Sequence, residues 1–228
     1  MTVDQMHFRF KLRFDKIDSF SLPEYSPEEI DELLNMAQQF LIVQVTKDGI
    51  EKTEENMDYL KNVTRAFKST TFISNSSNKP NGVYVNLPSD YRTALLEEAD
   101  VSYIGCGGST TSYRATVIPT TRDRYNRVIK DPFNKPDEKN ILRLVSENVS
   151  GAESFELVSS DGCTITSYYL DYIREPRRIQ HGTQYATPTS DVDCELSEKA
   201  QEKVIEIAVD LAMDSLKLTA PQQQSQNS

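Results

Sequence analysis

The sequence predicts an α+β fold with N-terminal helices, a central antiparallel β region of sandwich or barrel-like form, and a long C-terminal helix. Three observations carry this reading. Apolar residues recur at helical spacing behind strong N-cap signals before residue 70 and again after residue 196. Between residues 80 and 176 the period shortens to two, with Gly, Ser and Asp separating short apolar runs. Helices and strands do not alternate as in the βαβ units of nucleotide-binding folds. The chain reads as one domain over 1–218, helical over 1–70, β-rich over 80–176 and helical again over 196–217, with a disordered tail at 219–228.

Thr2 and Gln5 fit a capping box, and Val3, Met6, Phe10 and Phe14 follow at helical spacing, predicting a helix over about 3–15. In "SPEEIDELLNMAQQFLIVQ", Ser26 is the N-cap, Pro27 takes the first helical position and Glu29 the third. Its apolar stripe is Ile30, Leu33, Leu34, Ala37, Phe40 and Leu41, with Glu28, Asp31, Glu32 and Gln38 off it. A third helix is expected from Thr53, burying Met57, Leu60, Val63, Thr64 and Phe67. "SNSSNKPNG" at 74–82 is a polar loop.

Strands are then expected at 83–88, 94–104 and 112–118, the last two flanking the loop "GCGGSTT". A short helix fits between the prolines of 119–136, closed by a Pro-Phe-Asn turn. "ILRLVS", "SFELVS" and "TITSYYLDYIREP" complete what reads as an antiparallel meander. Ser197 caps the last helix, whose stripe is Val204, Ile205, Ala208, Leu211, Ala212 and Leu216. Ile207, Val209 and Met213 widen that stripe enough for the helix to meet two surfaces. "TAPQQQSQNS" beyond it is polar and of low complexity.

The 228 residues suffice for one generous domain, and 37% hydrophobic with 26% charged side chains is ordinary globular composition. No apolar run reaches the length that spans a bilayer, so no membrane partner is expected. The start, "MTVDQMHFRF", lacks the basic and apolar regions of a secretory signal, which makes a cytosolic origin the default. Three isolated cysteines, Cys106, Cys163 and Cys194, and two histidines, His7 and His181, show no metal-ligand spacing. Neither a metal nor a cofactor is expected.

A net charge of −10 argues against a general nucleic-acid binder. The charge is uneven. Glu24–Asp58 holds ten acidic and two basic side chains, Asp191–Asp214 eight and two, and Arg114–Arg143 four acidic against eight basic. One chain thus offers acidic and basic surfaces together.

The glycines around Cys106 could cradle an oxyanion beside a thiol, but a cysteine nucleophile needs a base, and His181 sits in the polar stretch "QHGTQ". A flexible loop between two strands explains the glycines as well, and the spacing fits neither nucleotide-binding glycine motif. Glu28–Glu29 and Glu54–Glu55 lie in first helical turns, where carboxylates favour the positive end of the helix dipole. Glu97–Glu98 fits a strand whose Glu98 and Asp100 face solvent. No catalytic residue is assigned. Arg122, Arg124, Arg127 and Lys130, like Arg174, Arg177 and Arg178 of "REPRR", admit three readings: nucleic-acid contact, pairing with an acidic surface on a neighbouring copy, and simple solvation.

The order of segments resembles the tail and connector ring proteins of crAss-like bacteriophages. Phe14, Lys16 and Asp18 fit an F-x-x-K-x-D start. Glu28, Glu29, Ile30, Asp31, Leu33, Leu34, Asn35 and Ala37 fit the helix that follows it. "VNLPSDYRTALLEEADV" is similar to the entry of the β region, and "DRYNRVIKDPFNKP" to a small helix and turn with Asp131 in place of Asn. "YYLDYIREPRRI" and "CELSEKAQEKVIEIAVDLAMDSL" resemble the closing strand, Arg-rich arm and C-terminal helix.

The resemblance implies a virion structural protein and no enzyme: a head-to-tail adaptor type of subunit in a twelvefold ring in the neck or tail, assembled in the host bacterial cytoplasm. Its partners would be further copies of itself, the portal protein or adjacent tail ring proteins, and passing DNA, touched transiently. Ring closure needs two different faces of one subunit to meet. The candidate subunit-interface residues are therefore the acidic Glu28, Glu29 and Asp31 and the basic Arg122, Arg124, Arg127, Arg174, Arg177 and Arg178, with the loops 69–82 and 105–112 as docking elements. A minor capsid or decoration protein, a non-virion phage protein with a Cys106-based activity and an unrelated adaptor are the rival readings.

Overall fold

The computed structural model describes residues 1–15, 25–47, 54–73, 79–104, 108–147, 153–182 and 190–219. Lys16, Asp18, Cys106 and the tail from 220 lie outside the described residues. The chain divides into two compact units, Met1–Val63 with Pro176–Ser228, and Thr64–Glu175.

The first unit is helical. Its helices are α1 (Val3–Asp15), α2 (Pro27–Thr46), a single turn α3 (Glu54–Asp58) and α5 (Glu198–Thr219). Both capping boxes form. Thr2 and Gln5 exchange their two hydrogen bonds at 3.2 and 3.4 Å, and Glu29 reaches back to the Ser26 amide at 2.8 Å. Ser197 Oγ accepts from the Ala200 amide, so α5 also starts where its cap predicts. α5 packs against α1 and α2 at once, through Val204, Ile205, Ala208, Val209 and Ala212. That double contact is the reason for its wide apolar face.

The third helix is shorter than its periodicity predicts. It ends at Asp58, and Thr64, placed in the helix by its spacing, instead opens a strand. Leu60 and Val63 are buried in the turn between them. Phe67 packs on the core of the second unit, and half-buried positions at Thr64 and Phe67 satisfy a sheet edge as readily as a helix face.

The second unit is a seven-stranded sheet curled into a half-barrel. Its strands are β1 (Thr64–Ser69), β2 (Gly82–Asn86), β3 (Tyr91–Ile104), β4 (Thr110–Pro119), β5 (Asn140–Glu147), β6 (Glu153–Val158) and β7 (Cys163–Arg174), in the order β1-β7-β3-β4-β5-β6-β2. The meander expected from turn spacing is corrected at two points: β7 pairs with β1 and β3 and not with β6, and β4 and β5 run parallel. A parallel pair needs a crossover, and the short helix α4 (Arg122–Val128) supplies it. Curling brings the far edges close, for Ile73, just past β1, bridges Tyr84 of β2.

One face of the sheet forms the inner core, with Val85, Val101, Val117, Ile141, Phe155, Leu157, Tyr168 and Leu170 among its members. The outer face of β5 is covered by α4, whose Tyr125 packs on Leu142, Leu144 and Val158. At Gly162 φ is +80°, the left-handed geometry that lets β6 turn tightly into β7.

Candidate functional site

Within the helical unit, α2 carries two distinct faces. The inward one is more polar than the sequence pattern predicts. Asp31 and Gln38, expected off the apolar stripe, are buried with Asn35. The cause is the extended segment 176–182, which runs along α2 with a single β-bridge, Gln180 to Val192, so its other backbone groups need side chains. Asn35 Oδ1 accepts from the Ile179 amide, while its Nδ2 donates to the Ile179 carbonyl, both at 2.8 Å. Gln38 Nε2 donates to the Arg177 carbonyl at 3.2 Å, and Asp31 Oδ2 accepts from the His181 amide at 2.8 Å. Asp31 Oδ1 lies 2.7 Å from His7 Nε2, and the rings of His7 and His181 meet edge to face at 4.8 Å.

Asp31 is thus 3% exposed and occupied internally, which corrects its expected place among the interface residues. Nor does His181 lie in an open polar loop, for it is buried, with Nε2 2.7 Å from Asp4. Among the described residues, no group of three or more His, Cys, Asp or Glu side chains could hold a metal.

The outward face of α2 holds Met36, Phe40 and Val43, spaced at i, i+4 and i+7 and all more than half exposed. Phe40, placed in the buried stripe by periodicity, is 56% exposed, because Ile42 and Val45 fill the core beside Leu41 instead. Glu28 and Glu29 are exposed in the first turn of the same helix. Two of the expected arginines are paired inside this unit: Arg177 with Glu195 at 2.7 Å, and Arg178 with Glu32. Both pairs reach solvent, where such contacts contribute about 0–1 kcal/mol.

The remaining cations belong to the sheet unit. Arg174 is half-buried and donates to the Glu175 carbonyl at 3.4 Å. Arg122 donates to Ser146 Oγ at 3.0 Å. Arg124 and Arg127 share an exposed face of α4, above a cleft that also contains Ile118, Asp131 and Asn134. Glu98 and Asp100 face outward as predicted, both within 3.2 Å of Arg114, whose guanidinium stacks 3.7 Å from the Tyr169 ring centre.

Glu97 turns inward. Tyr168 donates to its carboxylate at 2.7 Å, and Arg143 Nε stands 3.2 Å away without the alignment of a hydrogen bond. Burial pushes the Glu97 carboxyl above the ordinary carboxylate range, against the opposing pull of Arg143 and the Tyr168 hydroxyl. Arg143 also stacks on Phe155, at 4.2 Å from its ring centre.

The half-barrel has two unlike ends. At one end, where β5 finishes and β3 and β6 begin, lies a cavity of about 830 Å³. Its walls are Leu87, Tyr91, Arg92, Arg122, Val145, Ser146, Glu153, Ser154 and Phe155. Beside the other end, where β5 begins, Phe133 projects from the turn after α4 with 93% of its surface exposed. The sequence marks that turn, but burial alone reveals that its aromatic ring has no cover. Of the expected docking loops, 74–78 and 105–107 lie outside the described residues, and 110–112 belong to β4.

A family model described as phage tail ring protein 3/4 matches residues 1–224. The chain is also 23% identical over 230 residues to a protein named ring protein 4/5 of Bacteroides phage crAss001, covering 93% of this chain and 92% of the relative. Matched over almost its whole length, the chain belongs to the phage tail ring protein 3/4 family, structural components of the phage tail.

Proposed function

We propose that the chain is one of twelve copies in a closed ring at the portal-proximal side of the tail, where it contacts the portal or an adjacent ring protein and forms part of the DNA conduit. Assembly takes place in the host cytoplasm. The observation that carries this reading is the second apolar stripe of α2. Met36, Phe40 and Val43 lie outward on a helix whose other face is already buried, and a neighbouring subunit gives them cover. Glu28 and Glu29 on that helix, and Arg122, Arg124 and Arg127 on α4, supply opposite charges for faces of successive copies.

The net charge of −10 supports the conduit, since every fixed cation facing the lumen adds phosphate affinity and slows passing DNA. A reconstruction of the tail from purified particles tests the proposal. A twelvefold ring of this fold with Phe40 covered by protein is the expected result. A different copy number, or Phe40 facing solvent in the assembled ring, contradicts it.

A further inference from the structure

Resting on that ring reading, we propose that Phe133 is the anchor of the subunit contact, seating in the cavity at the opposite end of the half-barrel of the next copy. The turn that presents Phe133 is rigid. Asp131 accepts from the Phe133 amide at 3.0 Å and from the Asn134 side chain at 2.6 Å, and its carbonyl accepts from the Lys135 amide at 3.0 Å. Pro132 and the buried Pro136 flank the ring and restrict the backbone further. An aromatic side chain held in this way loses little conformational freedom on docking.

The cavity suits such a ring. Tyr91 and Phe155, themselves edge to face at 5.4 Å, offer aromatic surface, and Val145 is 67% exposed beside them. Arg122 is fixed at the wall by Ser146, where a guanidinium favours the face of an incoming ring. Arg92 in the wall is paired with Glu175 and Arg122 is held by Ser146, which leaves one acidic side chain of the wall to the lysines beside Phe133. Lys130 and Lys135 flank Phe133, Glu153 stands at the cavity, and none of the three forms an ion pair among the described residues.

Phe133 cannot fill the cavity of its own chain. It stands where β5 begins, and Val145 lies about 17 Å of strand further on. Knob and cavity therefore occupy opposite ends of one unit, which is the layout a head-to-tail contact between identical copies requires.

The test replaces Phe133 by the photoreactive analogue p-benzoylphenylalanine in the full chain and irradiates particles assembled with it. A crosslinked dimer of this chain, joining position 133 to a residue within 87–92, 143–147 or 153–155, is expected. Because the ring of Phe133 is in solvent, the urea midpoint of the free chain should not move. Phe133→Ala and Val145→Arg, each also neutral for folding, are expected to lower incorporation roughly tenfold or more, the scale of a lost aromatic anchor. A crosslink to a different virion protein, or none from particles that contain the chain, overturns the proposal while leaving the ring reading intact. Absence of the unmodified chain from particles removes the ring reading itself.

Discussion

The carboxylate of Asp31 joins two segments distant in sequence, with Oδ1 2.7 Å from His7 Nε2 and Oδ2 accepting from the His181 amide at 2.8 Å. Both contacts are buried, and they tie α1 and the segment 176–182 to α2. A residue in this position holds the helical unit together, whereas its neighbours Glu28 and Glu29 face solvent.

Replacing Asp31 by Ala leaves a buried imidazole and a buried amide without that acceptor. The expected cost is about 2–3 kcal/mol, the range for orphaned buried polar groups. Glu28→Ala, on the exposed side of the same turn, should change stability by less than about 0.5 kcal/mol. Urea unfolding of the free chain, followed by circular dichroism, separates the two. Equal effects would contradict the division between an inner and an outer face of α2.

Glu97 makes the stability of the sheet unit depend on pH. Its folded-state pKa is raised above the ordinary value, mainly by burial, so the folded state holds the proton more tightly than the unfolded state. The contribution of this group is therefore greatest below about 4.5, its unfolded value, and is lost as pH rises from there through the raised one. Glu97→Gln removes the titration, so the gap between wild type and variant should change across that window. Tyrosine fluorescence suits the measurement, because eight of the eleven tyrosines lie in 64–175 and the chain has no tryptophan. A gap independent of pH would contradict the assignment.

Arg124 and Arg127 are exposed on α4 and make no ion pair among the described residues. Their joint reversal to Glu should leave the unfolding midpoint of the free chain within about 0.5 kcal/mol of wild type. If these arginines face an acidic surface on the neighbouring copy, the reversal should also reduce incorporation into particles at physiological salt. Unchanged assembly would leave them as solvated charges and assign the subunit contact to apolar groups alone.

Local signals in the sequence carried the element boundaries best. The boxes at Thr2 and Ser26 and the cap at Ser197 each mark a helix start, since capping involves residues three apart and needs no tertiary context. The parallel pairing of β4 with β5 was not legible, because register between strands depends on the whole sheet. Asp31 and Gln38 looked like surface residues for a related reason. A polar residue is buried wherever a passing backbone needs it, and that backbone is the segment 176–182, some 140 residues away. Phe40 shows the converse. An apolar residue counts toward a core on spacing alone, and only the folded chain shows which ones lie outside.

Copy number tests the central claim most directly. Quantitative mass spectrometry of purified particles, scaled to the portal subunit, should find one copy of this chain for each portal subunit. Hundreds of copies would place the protein in the shell, and absence from the particle would contradict a structural role in the tail altogether.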